Sequence, residues 1–378
     1  MKVEIPKELK QAMPQTFWGK LFSATPVVMA VLATMLAGLA SSEMTRAQYD
    51  RSLAAQQQSK AGDQWNFFQA KRLRSATFRN TLDLLQATTE LGPLSLSALK
   101  QSAIALPIQV EDAAGQIKSA LQHVSTDANA AQAKEMLDQY LQADAQRKAQ
   151  ALDIKTQMLA ILDAPDAETV IAALQKGEVP DIGPDPALDE KIKSAIEAVA
   201  GSKTLTEIAP FIARLDDKAL EDSLRAAMDR TAVLDKATKP LNQSIDRIEK
   251  LMARQMGLLQ EARTILILAG ANPKVAPSLN REFTAARIRY SAARYDSEAR
   301  LNQAIGDLYE LQVRRSNPSA ERHHNRSQQF FYGMLAAQMA VIVSTLAIAA
   351  QRRNLLWSIA ACAGMLAVAF GSYVYLFT

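Results

Sequence analysis

The chain has 378 residues, 43 Lys and Arg against 39 Asp and Glu for a net charge of +4, and 48% hydrophobic residues. Its single cysteine, Cys362, excludes an internal disulfide, and the three histidines His123, His323 and His324 leave no histidine-rich metal site. Gly and Pro, 14 of each, are too few turn residues for an all-β or collagenous chain of this length. Three stretches are almost wholly apolar and carry no charge. They point to an all-α membrane protein with three transmembrane helices, one amino-terminal and two as a carboxyl-terminal hairpin, and a long helical, coiled-coil-like extramembrane domain.

Residues 1–20 form a basic segment with Lys2, Lys7, Lys10 and Lys20. The first transmembrane helix is expected over residues 21–41, where the run from Leu21 to Ala40 has no charge and meets the roughly 20 apolar residues a bilayer requires. Gly38-Leu39-Ala40-Ser41 has the small residues that a signal peptidase cuts. The run is longer than a signal-peptide core, however, and follows Phe17 and Trp18 at the interface, so an uncleaved anchor is expected. Pro26 is where it would kink.

A membrane-proximal helix is expected over residues 42–93, since no proline interrupts Ser42 to Leu91 and Gly92-Pro93 would stop it. Within it lies a cluster, Asp63-Gln64-Trp65-Asn66-Phe67-Phe68-Gln69-Ala70-Lys71-Arg72. On a helix Trp65, Phe68, Gln69 and Arg72 share one face, with Gln64, Phe67 and Lys71 beside it. Three aromatics within four positions cannot all enter one narrow seam. Either the helix is enclosed on several sides, or part of this surface binds a partner or a neighbouring subunit.

Residues 94–237 break into shorter helices and read as an inserted helical domain. Asp185 and Pro186 look like the start of one helix, Gly201 like its end, Thr204 and Glu207 like a capping box, and Asp216-Asp217 like a further start. Residues 238–328 are expected to be antiparallel long helices returning to the membrane. In the first, Ile245, Ile248, Met252, Leu259, Ala262 and Leu266 make a heptad-like seam that Gln255 interrupts. After a turn at Gly270-Ala271-Asn272-Pro273, the second carries Phe283, Ala286, Tyr290 and Ala293, then Leu301, Ile305 and Leu308. An intramolecular bundle and an intermolecular coiled coil are both compatible with these seams.

The second and third transmembrane helices are expected over 329–350 and 355–378, joined by the basic loop 351–354. Gly333 and Ala337, Ala360 and Gly364, and Ala367 and Gly371 recur at four-residue spacing and allow close helix packing. Arg352 and Arg353 in the loop resist translocation and, with the lysines of the amino terminus, set the topology: the loop faces the cytoplasm and the helical domain the periplasm. Arg46, Arg51, Arg314, Arg315, Arg322 and Arg326 on the other side nearly balance them.

No catalytic, cofactor-binding or metal-ligating residues are expected. Ala200-Gly201-Ser202-Lys203-Thr204 looks like a phosphate loop but lacks the upstream glycine, and a helix end joined to a capping box explains it better. His323-His324 fit a basic collar facing lipid headgroups, and Cys362 a small apolar filler. Gln338, Ser344, Thr345, Thr34 and Ser372 are too few and too mild for an ion pathway.

The chain resembles a bacterial membrane protein family known as domain of unknown function 4337. Two blocks carry the resemblance: Gln58 to Arg74, centred on Asp63-Gln64-Trp65 and Phe67-Phe68-Gln69-Ala70-Lys71, and Tyr295 to the carboxyl terminus, where a charged helix leads into the paired membrane segments. Residues 94–237 have no counterpart in the resemblance. It implies a shared membrane architecture and no reaction.

The expected function is a non-enzymatic scaffold or envelope assembly protein of the bacterial inner membrane, anchored in the lipid bilayer and forming a homo-oligomer. An oligomeric pore with a helical lid is the alternative, and an adaptor presenting residues 94–237 to another envelope protein is a third reading. No nucleic-acid partner is expected.

Overall fold

The computed structural model describes residues 17–123, 128–183, 188–201, 204–268, 279–349 and 353–377. These residues form ten helices and no strand: α1 (Phe17–Thr88), α2 (Leu96–His123), α3 (Ala128–Gln142), α4 (Asp144–Leu162), α5 (Ala167–Lys176), α6 (Glu190–Ala200), α7 (Leu205–Ile212), α8 (Asp217–Leu268), α9 (Asn280–Ala349) and α10 (Arg353–Phe377).

Two of these, α8 and α9, run on through prolines at which propensity alone would end a helix, for one reason. Prolines interrupt the pattern but face outward, where the ring has room and one lost hydrogen bond is the main cost. α8 starts at Asp217 and continues through exposed Pro240 because Leu234, Thr238, Leu241 and Ile245 on its other face are buried. Burying such side chains is worth ~1.5–3 kcal/mol each, which outweighs the ~3 kcal/mol of an interior proline. The Thr238 hydroxyl donates to the Leu234 carbonyl at 2.9 Å. α9 likewise passes exposed Pro318, joining the return helix to the second apolar run. α1 joins the first apolar run to the expected membrane-proximal helix, contains Pro26, and ends at Thr88.

The helix starts follow local chemistry. The Glu207 carboxylate accepts from the Thr204 N–H and hydroxyl, both at 2.8 Å, and closes the capping box. Asp216 Oδ2 accepts the Ala219 N–H at 3.2 Å and starts α8. α6 is capped by Asp189, whose Oδ1 accepts the Lys191 N–H at 2.9 Å. Asp185, Pro186, the Gly270–Pro273 turn and Arg352 lie outside the described residues.

The described residues divide into two compact units. One takes in the described part of Met1–Ala61, Asp189–Leu220 and Asp307–Thr378, the other Gly62–Leu188 and Glu221–Gly306. In the second unit, one core joins Leu99, Leu106, Ile154, Met158 and Leu174 to Ile245, Ile248, Met252, Phe283 and Tyr290. Residues 94–174 therefore share their core with α8 and α9. The whole seam of α8 is buried, including Gln255, which is 5% exposed and whose Nε2 donates to Ser102 Oγ at 2.9 Å. That bond is why an amide is tolerated at an apolar seam position.

Gly177 ends α5 at φ +67°, and a Cβ there would lie 2.4 Å from Arg289 Cγ. Arg289 is held in place by donating from Nη1 to the Gln175 carbonyl at 2.9 Å. Gly177→Ala is expected to destabilise the chain by about 1–2 kcal/mol, read as a lower thermal midpoint in circular dichroism.

In the first unit, the apolar parts of α1, α9 and α10 are each long and apolar enough to cross a membrane. They pack together through small side chains: Ala33 and Ala40 of α1, Ala337 and Ala340 of α9, and Ala360 and Ala367 of α10 are all at most 7% exposed. Leu36, Phe330 and Val374 join them in the core, whereas most large side chains point the other way, with Val27 65%, Ile342 57%, Leu355 71% and Tyr375 87% exposed.

Candidate functional site

A seven-residue repeat runs along α1. Ala33, Ala40, Ala47, Ala54 and Ala61 fall at one position of it, and all are buried. Alanine at each turn of the seam lets a partner helix come close, and in the first unit that partner is α9. The other seam position is polar and matched residue by residue. Glu43 pairs with His323 Nδ1, the Ser319 hydroxyl donates to Asp50 Oδ2 at 2.8 Å, and the Ser316 hydroxyl donates to Gln57 Oε1 at 3.3 Å. Buried Ser327 donates to the Ala40 carbonyl at 2.7 Å. Such pairs fix register, since a slip of one residue would break every one of them.

In the second unit the same repeat reaches the aromatic cluster. Trp65 and Phe68 are half-buried and meet edge to face, with ring centroids 5.5 Å apart. The Trp65 indole lies against Gly306 of α9, where an added Cβ would stand 3.4 Å from the ring. The indole thus packs directly over the backbone of α9 at that position. Lys71 Nζ is 2.7 Å from Glu298 Oε2, and the Glu298 Oε1 is 3.4 Å from Arg294 Nε. Ser75, 2% exposed, donates to the Ala292 carbonyl at 2.9 Å, and Phe78 stacks on Tyr295 at 5.8 Å. The Arg72 guanidinium lies 5.8 Å from the Phe68 ring.

The cluster thus divides between two faces. Gln64, Trp65, Phe68 and Lys71 are on or beside the seam with α9, whereas Asp63, Phe67, Gln69 and Arg72 are exposed. Phe67 is 54% exposed, the aromatic that intrachain packing leaves out. The partners that sequence reasoning missed are Glu298, Gly306 and the Glu43, Asp50 and Gln57 series. The five alanines at seven-residue spacing were the available signal for all of them.

The small membrane-segment residues come together within one chain. A Cβ on Gly333 would meet Phe370 Cβ at 3.2 Å and Leu36 Cδ1 at 3.3 Å, and one on Gly371 would meet Leu36 Cδ2 at 3.2 Å. Gly364 faces the end of Met29. Of Arg353 only the backbone, at the start of α10, is described.

One acid stands apart. Asp307 of α9 is pushed up to about 6 by burial and secondarily by the Glu310 carboxylate. Its folded-state value lies above the ~3.9 of an unfolded chain, so the fold favours the protonated form. That contribution is complete below about pH 4 and is lost as pH rises through 6. Asp307→Asn is expected to raise stability at about pH 8 by ~1–2 kcal/mol, allowing for partial solvent screening, and to leave it unchanged near pH 4. Urea titrations at the two pH values measure the difference.

Residues 18–162 match the model of a protein family described as a domain of unknown function (DUF4337). The match covers well under half of the chain. It takes in the Asp63–Lys71 block on which the resemblance rests, and it continues through residues 94–162, the first part of the stretch expected to lie outside it. The block from Tyr295 onward falls beyond the matched residues. No curated protein matches the chain, and no solved structure matches it.

Proposed function

We propose that the protein is a non-enzymatic, membrane-anchored helical scaffold that self-associates in the bacterial inner membrane, with its helical body in the periplasm. The supporting observation is the distribution of side-chain size among the three apolar segments. In water, large apolar side chains go inside because their burial is the driving force. Lipid tails are as apolar as leucine and remove that force, so close packing of small residues decides which face turns inward. Here Ala33, Ala40, Gly333, Ala337, Ala340, Ser344, Ala360, Gly364 and Ala367 occupy most of the centre, with Leu36, Phe330 and Val374 among them, and most of the Val, Leu, Ile and Tyr side chains lie at the periphery.

Scaffolding is supported by what the long helices do beyond the apolar runs. α1 and α9 continue without a break into residues cross-linked by side-chain pairs, so each is held in one register along its length. Self-association is supported by Phe67, Leu73 and Leu84, which are 54%, 70% and 65% exposed on α1.

The test is the mass of the complex extracted in mild detergent, measured by light scattering, after confirming that carbonate washing leaves the chain in the membrane. A single defined oligomer supports the reading, and a monomer refutes its self-association. Reporter fusions after Thr378 read the orientation, and ion flux into liposomes holding the pure protein would count for a pore instead.

A further inference from the structure

Within the apolar part of α9, Gln338 faces outward and makes no hydrogen bond with any described residue. Three hydroxyls in the apolar segments are closed onto their own helices. Thr34 donates to the Ala30 carbonyl at 2.9 Å, Ser344 to Val341 at 3.0 Å, and Thr345 to Val341 at 2.7 Å. Gln338 stands about eight residues, or ~12 Å, inside the apolar run that begins at Phe330, close to the middle of a ~30 Å hydrocarbon layer. An amide left there against lipid tails gives up its water and receives nothing in return.

We infer that Gln338 is the centre of a contact between two copies of this chain. The inference rests on the membrane-embedded, self-associating reading above and names the surface involved. Copies inserted with the same orientation place their Gln338 residues at the same depth, so each amide meets its own counterpart. A carboxamide is self-complementary: the NH2 of one donates to the carbonyl of the other, and the reverse bond forms at the same time. The flanking residues complete a helix-pairing seam. Leu335 and Ile342 are 41% and 57% exposed, and with Gln338 and Thr345 they recur at three- and four-residue steps on the face of α9 away from Gly333, Ala337 and Ala340. The occupied face therefore does not compete with the new one.

Gln338→Leu keeps the approximate size of the side chain and replaces the amide with apolar atoms. Purified full-length protein carrying it should dissociate at about three- to thirtyfold higher concentration than the wild type in analytical ultracentrifugation in detergent, with unchanged helicity and thermal midpoint. Gln338→Asn should recover most of the association. In a Cys362→Ala background, Leu335→Cys and Ile342→Cys should form intermolecular disulfides on oxidation in vesicles of phosphatidylglycerol and phosphatidylethanolamine, whereas Met365→Cys on α10 should not. Association of Gln338→Leu equal to the wild type, or cross-linking at Met365→Cys as fast as at Leu335→Cys, overturns the contact and leaves self-association standing. A monomeric wild type overturns both. Extraction of the protein by carbonate overturns the membrane reading on which both depend.

Discussion

Trp65→Ala combined with Phe68→Ala is expected to cost the full chain about 3–5 kcal/mol, whereas Phe67→Ala one position away should cost less than about 0.5 kcal/mol. Two fully buried aromatics would cost about twice as much, since each truncation removes both transfer free energy and packing contacts. Trp65 and Phe68 are only half-buried, and their edge-to-face contact at 5.5 Å is lost once rather than twice. The indole also covers the backbone at Gly306, which has no side chain of its own to fill the space left by truncation. Chemical denaturation followed by circular dichroism measures both variants. Equal losses at Trp65 and Phe67 would mean that the seam is misplaced, because Phe67 is 54% exposed and touches little within the chain. The size of the wild-type complex adds a second readout. Phe67→Ala should change association without changing stability if that ring meets another copy, and the seam double variant should change stability first.

The contrast between Phe67 and Phe68 also shows how far the sequence could be read. Three uncharged runs, the absence of strand alternation and the Thr204/Glu207 box announce an all-helical chain with three segments long enough to cross a membrane. These signals are local: each depends on neighbours within a few residues. Helix pairing is not local, and it was legible only where the repeat was apolar. The α8 seam from Ile245 to Leu266 shows as a row of large side chains. The longer α1 seam is made of alanines alternating with Glu43, Asp50 and Gln57, so a search for hydrophobic periodicity passes over it. Charged residues at a seam look like solvent-facing residues until their partners, His323, Ser319 and Ser316, are brought alongside from roughly 260 to 280 positions away. At the prolines, local propensity points the wrong way. Pro240 and Pro318 are breakers by propensity, but exposed prolines on helices otherwise held by a buried face leave the helix intact.

Gly333→Leu should be among the most damaging single changes in the membrane bundle, destabilising it by about 2–4 kcal/mol. At this point α9, α1 and α10 meet with backbone close to side chain: even a Cβ would stand 3.2 Å from Phe370 Cβ, 3.3 Å from Leu36 Cδ1 and 3.5 Å from the Ala367 carbonyl oxygen. Three further carbons have nowhere to go, because Ala337 and Ala367 beside it are 0% exposed. Helices would have to separate, and in a bilayer no hydrophobic force draws them back, so the lost dispersion contacts are not recovered. The reverse change on the outer face should be nearly silent. Leu346→Ala removes the same three carbons from a residue that is 56% exposed, where lipid replaces what is cut away. A thermal melt in detergent, followed by differential scanning calorimetry, compares the two. A Gly333→Leu midpoint within error of Leu346→Ala would invert the assignment of inside and outside, and with it the physical argument that these helices sit in lipid.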